Sequence, residues 1–165
     1  MQQKTLVSWL KAILIIFAAL LAALLFLIVP AMGRQAVANI PDAAFLFWPC
    51  LIYIWILGAP ICLMLAEAWK VCSQIGSGHP FCKENARSFV AICQYSLLDC
   101  GLLFLGNTAL AVVSGITDLA VYPVGIPIFS LLLIFIGLAV SVAAATLSHL
   151  IYKASDINEE NQLTI

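Results

Sequence analysis

The chain has 165 residues, 64% hydrophobic and only 9% charged, with a mean hydropathy of +1.12 and a formal net charge of −1. Apolar runs near the ~20 residues that a bilayer core demands argue against a soluble globular domain and for an integral membrane protein. The lack of a basic surplus argues against direct binding of nucleic acid, which needs a positively charged footprint.

Four apolar segments are bounded by turn or charge signals, at about residues 9–30, 43–66, 86–113 and 124–152, followed by a short polar tail, 153–165. None alternates with period 2, and unpaired backbone groups are not tolerated in lipid, so each segment predicts a helix and not a barrel strand. The expected fold class is all-α: a four-transmembrane-helix bundle forming a single membrane domain over residues 1–165. The first apolar run exceeds the ~7–15 residues of a signal-peptide core, so it is read as a retained anchor.

Lys4 and Lys11 precede segment one, Lys70, Lys83 and Arg87 flank the turn between segments two and three, and Lys153 follows segment four; Arg34 alone lies on the opposite side. The positive-inside bias therefore predicts that both termini and the central turn are cytoplasmic. Trp9, Trp69 and Tyr152 then fall at the inner interface, and Trp48 and Tyr122 at the outer one. Residues 31–42 and 114–123 are left as two short outer loops, too small for a receptor ectodomain or a solvent-side catalytic domain.

Six cysteines invite a redox reading, but no C-x-x-C is present and only Cys50 approaches the outer face. Cys62, Cys72, Cys82, Cys93 and Cys100 read as small buried thiols. Cys72, His79 and Cys82 do not match a zinc spacing, and no metal or cofactor is expected.

Asp99, near the middle of segment three, is the strongest candidate for intramembrane chemistry. An ionised carboxylate at that depth is costly and no Lys or Arg shares its level. A hydrogen-bonded or protonated state is expected, with Tyr95, Ser96, Asn107, Ser141 and Thr146 as candidate partners. The alternative is the centre of a small proton-coupled transporter. Gly137, Ser141 and Ala145, and on segment one Ala18 with Ala22 and Ala19 with Ala23, recur at four-residue intervals that let helices approach closely, within the chain or in a homo-oligomer. Glu67 and Lys70 are expected to pair. No nucleophile–base pair, metal set or phosphate loop can be assembled, so an enzyme is not expected.

Two stretches on the cytoplasmic side are more specific. In "GSGHPFCKEN", glycines end segment two, Pro80 suits a first helical turn and Phe81 is an anchor for the loop. In "DINEENQLTI", acids precede two aliphatics and the chain end, a segment suited to adding as a strand, seating in a groove, or latching onto Lys83 and Arg87. The pattern Gly78-x-Pro80-Phe81-x-x-x-Asn85, with Glu159-Glu160-x-x-Leu163-Thr164-Ile165 at the end, resembles the YoaS-like family, small bacterial four-helix membrane proteins of unknown function. Gln162 stands where the family commonly has an acid. The resemblance implies a bacterial cytoplasmic-membrane protein, multi-pass, that holds or modulates a small helix-turn-helix transcription regulator, with those nine residues as the contact surface.

Overall fold

The computed structural model describes residues 3–78, 82–117 and 122–163, with side chains from Thr5 to Ile157. Helix α1 (Gln3–Ala23) passes through one π-helical turn (Leu24–Ile28) into α2 (Val29–Asn39). A 3₁₀ stretch (Pro41–Leu46) leads into α3 (Phe47–Gly76), followed by α4 (Lys83–Thr117) and α5 (Gly125–Leu163). Four helical stretches, Thr5–Asn39, Pro41–Gly76, Lys83–Thr117 and Gly125–Ile157, are long and apolar enough to cross a membrane.

The helices outrun their apolar segments. Residues 31–42, expected as a loop, are the body of α2 and the start of the 3₁₀ stretch. The tail, expected as a polar ribbon able to add as a strand, is helical through Leu163. Hydropathy marks where lipid begins and ends, whereas a helix stops at a breaker. After nucleation each residue propagates cheaply, and neither "MGRQAVAN" nor "KASDINEENQL" holds an internal proline or more than one glycine to stop it.

Spatial order follows chain order. The first span packs on α3, α3 on α4 and α4 on α5, while among the described residues no contact joins α1 to α4 or α5, or α3 to α5. The bundle is open, and each terminal helix has a single neighbour in it.

The α4/α5 seam is the most regular interface. Along α5, Ser130, Ser141, Ala144, Ser148 and Ser155 are buried, with Gly137 half-buried among them. From Gly137 to Ser148 these positions fall in steps of four, three and four, and Ser130 and Ser155 lie seven residues beyond either end, the heptad of a left-handed helix pair. Ala144 lies inward, and Ala145, expected on this face, is exposed. A strict four-residue step drifts about 40° per repeat around a helix with 3.6 residues per turn, so it leaves the seam after two steps. Hydrogen bonds cross the seam: Ser148 Oγ donates to the Ala86 carbonyl at 2.9 Å and Ser96 Oγ to that of Gly137 at 2.7 Å. Cys93 Sγ and Ser141 Oγ share a bond at 3.1 Å, and Cys100 Sγ reaches the Ile134 carbonyl at 3.5 Å.

The α1/α3 interface is built around a defect. In the π turn the Val29 N–H bonds the Leu24 carbonyl. The Leu25 carbonyl therefore loses its usual partner at residue 29, and its next neighbour, Pro30, has no N–H to offer. Trp55 Nε1, on α3, fills that vacancy by donating to Leu25 O at 3.2 Å. The Leu25 side chain sits over Gly58, where a Cβ would lie 2.5 Å from Leu25 Cδ1, and Phe26 lies against the Trp55 ring at 5.9 Å.

Candidate functional site

Two regions carry polar chemistry: a site inside the membrane around Asp99, and the end of the bundle that holds the turn between α3 and α4.

Asp99 is half-buried, and its Oδ1 is enclosed with no hydrogen-bond partner. The side chains expected to serve it are engaged elsewhere. Ser96 and Ser141 bond across the α4/α5 seam, and Thr146 Oγ1 donates to the Val142 carbonyl at 2.8 Å. Asn107 Nδ2 donates to Leu103 O at 2.9 Å, and its Oδ1 accepts from the Tyr122 hydroxyl at 3.0 Å. Tyr95 is half-buried one turn away on α4.

The residue that does reach this level comes from α3. The Tyr53 hydroxyl donates to the Leu102 carbonyl, and its ring lies in the space that a Cβ at Gly106 would occupy. Tyr53 escaped the sequence reading because helical spacing finds partners only along one helix, and the α3/α4 register is not encoded in it.

That register has a further consequence. Tyr53 is level with Leu102 and Gln74 with Glu84, so along this antiparallel pair moving three residues from Leu102 to Asp99 moves three from Tyr53 to Ile56. Pro60 stands inside α3 and is buried; lacking an N–H, it leaves the Ile56 carbonyl without its i+4 donor. The Asp99 carboxyl, which when protonated is a donor as well as an acceptor, thus lies level with a backbone acceptor that the helix does not satisfy.

At the turn end, Gly78 has φ of +90° and nothing within 4 Å of where a Cβ would be. It closes α3 with Gly78 N–H to Ile75 O at 3.2 Å, the left-handed helix stop that glycine adopts without steric cost. Gln74 then bridges the turn, donating from Nε2 to Glu84 Oε2 at 2.9 Å and accepting at Oε1 from Cys82 Sγ at 3.3 Å. Glu67 and Lys70 pair at 2.5 Å. Lys83 on α4 and Asp156 on α5 pair at 3.5 Å, so the acidic end of the chain begins beside the basic start of α4.

Asn85, expected on a contact surface, is fully buried, beside the Ala86 carbonyl that accepts from Ser148. It belongs to the packing of α4, and a partner cannot touch it without opening the seam. Pro80, Phe81, Thr164 and Ile165 lie outside the described residues, as does His79. Glu159, Glu160 and Leu163 lie on α5, their side chains outside the described set. All cysteines are free thiols; Cys72 and Cys100 are buried, whereas Cys62, expected to be buried, is exposed on the flank of α3. Among the described residues no three His, Cys, Asp or Glu side chains converge on a metal-sized site.

The model of a family of proteins of unknown function, DUF2975, matches residues 31–165. The chain belongs to the DUF2975 family. Over 158 residues it is 26% identical to the uncharacterized membrane protein YoaS of Bacillus subtilis (strain 168), covering 95% of this chain and 96% of that protein. No solved structure matches. The DUF2975 match takes in α3, α4 and α5, and with them both Asp99 and the turn.

Proposed function

We infer that this multi-pass protein lies in the bacterial cytoplasmic membrane with both termini inside, and that it is a non-enzymatic scaffold docking a cytoplasmic partner through its turn and C-terminal helix. The partner implied by the family resemblance is a small helix-turn-helix transcription regulator. The observation that carries this reading is the continuity of α5, 39 residues without a break. At 1.5 Å per residue it is about 58 Å long, against a hydrocarbon core of about 30 Å. The surplus forms an arm that carries Asp156, Glu159 and Glu160 out of the membrane on a helix, a stiffer presentation than a frayed tail. The lysines and the arginine around the turn and the termini support the orientation. Gly78, Pro80 and Phe81 supply the rest of the docking surface in this reading, and the open edges of the bundle leave room for a homo-oligomer.

The test is a pull-down from native membranes in mild detergent, comparing the full chain with one truncated after Asn158. Co-purification of a DNA-binding protein with the full chain alone supports the reading; identical partners for both forms refute docking through the arm.

The enclosed, unpartnered Asp99 Oδ1 favours a second reading, a small proton-coupled transporter centred on that carboxyl. In proteoliposomes Asp99→Asn would abolish coupled proton flux. A wild-type protein that moves no protons under any applied gradient removes this reading.

A further inference from the structure

The contact between α1 and α3 is incomplete on one side of the π turn, and the gap is an apolar groove. Ala18, Leu21, Ala22 and Leu25 line it from the first span, and Cys62 and Leu65 from α3. Phe26, also in its wall, packs on Trp55, so the groove is bounded at that end by two aromatic rings. Toward the other end, Lys11 Nζ stands over the Trp69 ring, 5.0 Å from its centroid.

These features lie on one line. Val7, Lys11, Leu14, Ala18, Leu21 and Leu25 fall in alternating steps of four and three, and each is buried, half-buried or part of the groove. Cys62, Leu65 and Trp69 have the same spacing on α3, the first two lining the groove. Lys11 and Leu25 are 14 residues apart, about 21 Å along the helix, which is about half of a 40–45 Å bilayer with its headgroups. The groove itself takes the deeper part of that span, from Ala18 to Phe26, and Lys11 stands seven residues, about 10 Å, before it, so that cation and groove together have the reach of one leaflet.

We propose that this groove is a binding site for one anionic phospholipid, an acyl chain lying against Ala18, Ala22 and Cys62 and the phosphate meeting Lys11. A through-running helix from a second copy would meet the Phe26–Trp55 pair, whereas an acyl chain ends where the groove does. The charge selects the headgroup. Lys70, next in sequence to Trp69, is tied to Glu67, whereas Lys11 rests on an uncharged ring face that holds the ammonium at the interface without neutralising it. The Ala18 and Ala22 side chains leave the room, and the π turn with its Trp55 bond fixes the floor.

The test is native mass spectrometry of the full chain in mild detergent, titrated with phosphatidylglycerol and phosphatidylcholine of identical acyl chains. One tightly retained phosphatidylglycerol is expected. Lys11→Gln should lower the preference over phosphatidylcholine about fivefold, the size of one basic residue's attraction to an anionic surface. Ala22→Phe should abolish retention of both lipids. A phosphatidylglycerol with a photoreactive chain provides a second measurement on the unaltered protein, and its cross-links should concentrate at residues 18–26 and 62–65. Equal retention of the two lipids by the unaltered chain, an unchanged preference in Lys11→Gln, or cross-links spread along α5 without the groove overturns the proposal.

Discussion

Gly137→Ala is the sharpest probe of the α4/α5 seam. The added Cβ would stand 2.5 Å from Cys100 Sγ and 3.6 Å from Ser96 Oγ. The sulfur cannot simply step aside, because one torsion places it, few rotamers are open to it on a helix, and it faces the Ile134 carbonyl at 3.5 Å. The helices must part locally. Overpacking of this kind costs about 1–3 kcal/mol, and weakening the Ser96 bond to Gly137 O adds about 0.6 kcal/mol, so a loss of about 2 kcal/mol is expected. Reversible unfolding in mixed detergent micelles, followed by tryptophan fluorescence, measures it. Cys100→Ala removes the obstructing sulfur, and the double variant should regain most of the loss, a coupling of about 1 kcal/mol or more. Gly101→Ala, with nothing within 4 Å of its Cβ, is the control on the same helix pair. If Gly137→Ala is as mild as Gly101→Ala, or if Cys100→Ala does not rescue it, close approach at this point does not hold the seam.

Four further outcomes are expected in the same unfolding assay. Trp55→Phe keeps the ring packing on Phe26 but orphans the Leu25 carbonyl, and should cost about 1–2 kcal/mol. Gly78→Ala forces a side chain into φ of +90° and should cost about 1 kcal/mol; no loss would mean the turn relaxes to another conformation. Lys83→Ala or Asp156→Ala should change stability by less than about 0.5 kcal/mol, since the pair is 43% and 64% exposed at 3.5 Å; a larger change would show a latch that holds the fold. Asp99→Asn keeps size and hydrogen-bonding capacity and should stay within about 1 kcal/mol of the parent, leaving proton flux as its informative readout.

The features legible in the sequence are those that depend on one segment at a time. Four apolar runs announce four helices, and the Glu67–Lys70 pair follows from helical spacing alone. Gly78 announces the end of α3 because no other residue takes its φ freely. What depends on two segments was hidden. Ala144 rather than Ala145 faces α4 because the crossing of two helices sets the period, and small residues occupy both positions. Asn85 looks like a surface residue in the sequence, yet it is fully buried where α4 meets the rest of the bundle. Tyr53 becomes part of the Asp99 neighbourhood only through the α3/α4 register. The π turn was readable in part: Pro30 signals an unsatisfied carbonyl, but only Trp55, 25 residues later, shows how it is satisfied.

The open, chain-ordered arrangement bears on how the protein is made. Among the described residues every helix–helix interface joins segments consecutive in synthesis, so each newly inserted span finds its partner already beside it and no loop must close around a later one. The α1/α3 contact, with the Trp55–Leu25 bond at its centre, is available as soon as α3 has emerged, and the serine-lined seam is the last to zip. Biogenesis can therefore proceed as a string of hairpin closures, and a span lost from either end leaves the remaining pairs with their native neighbours.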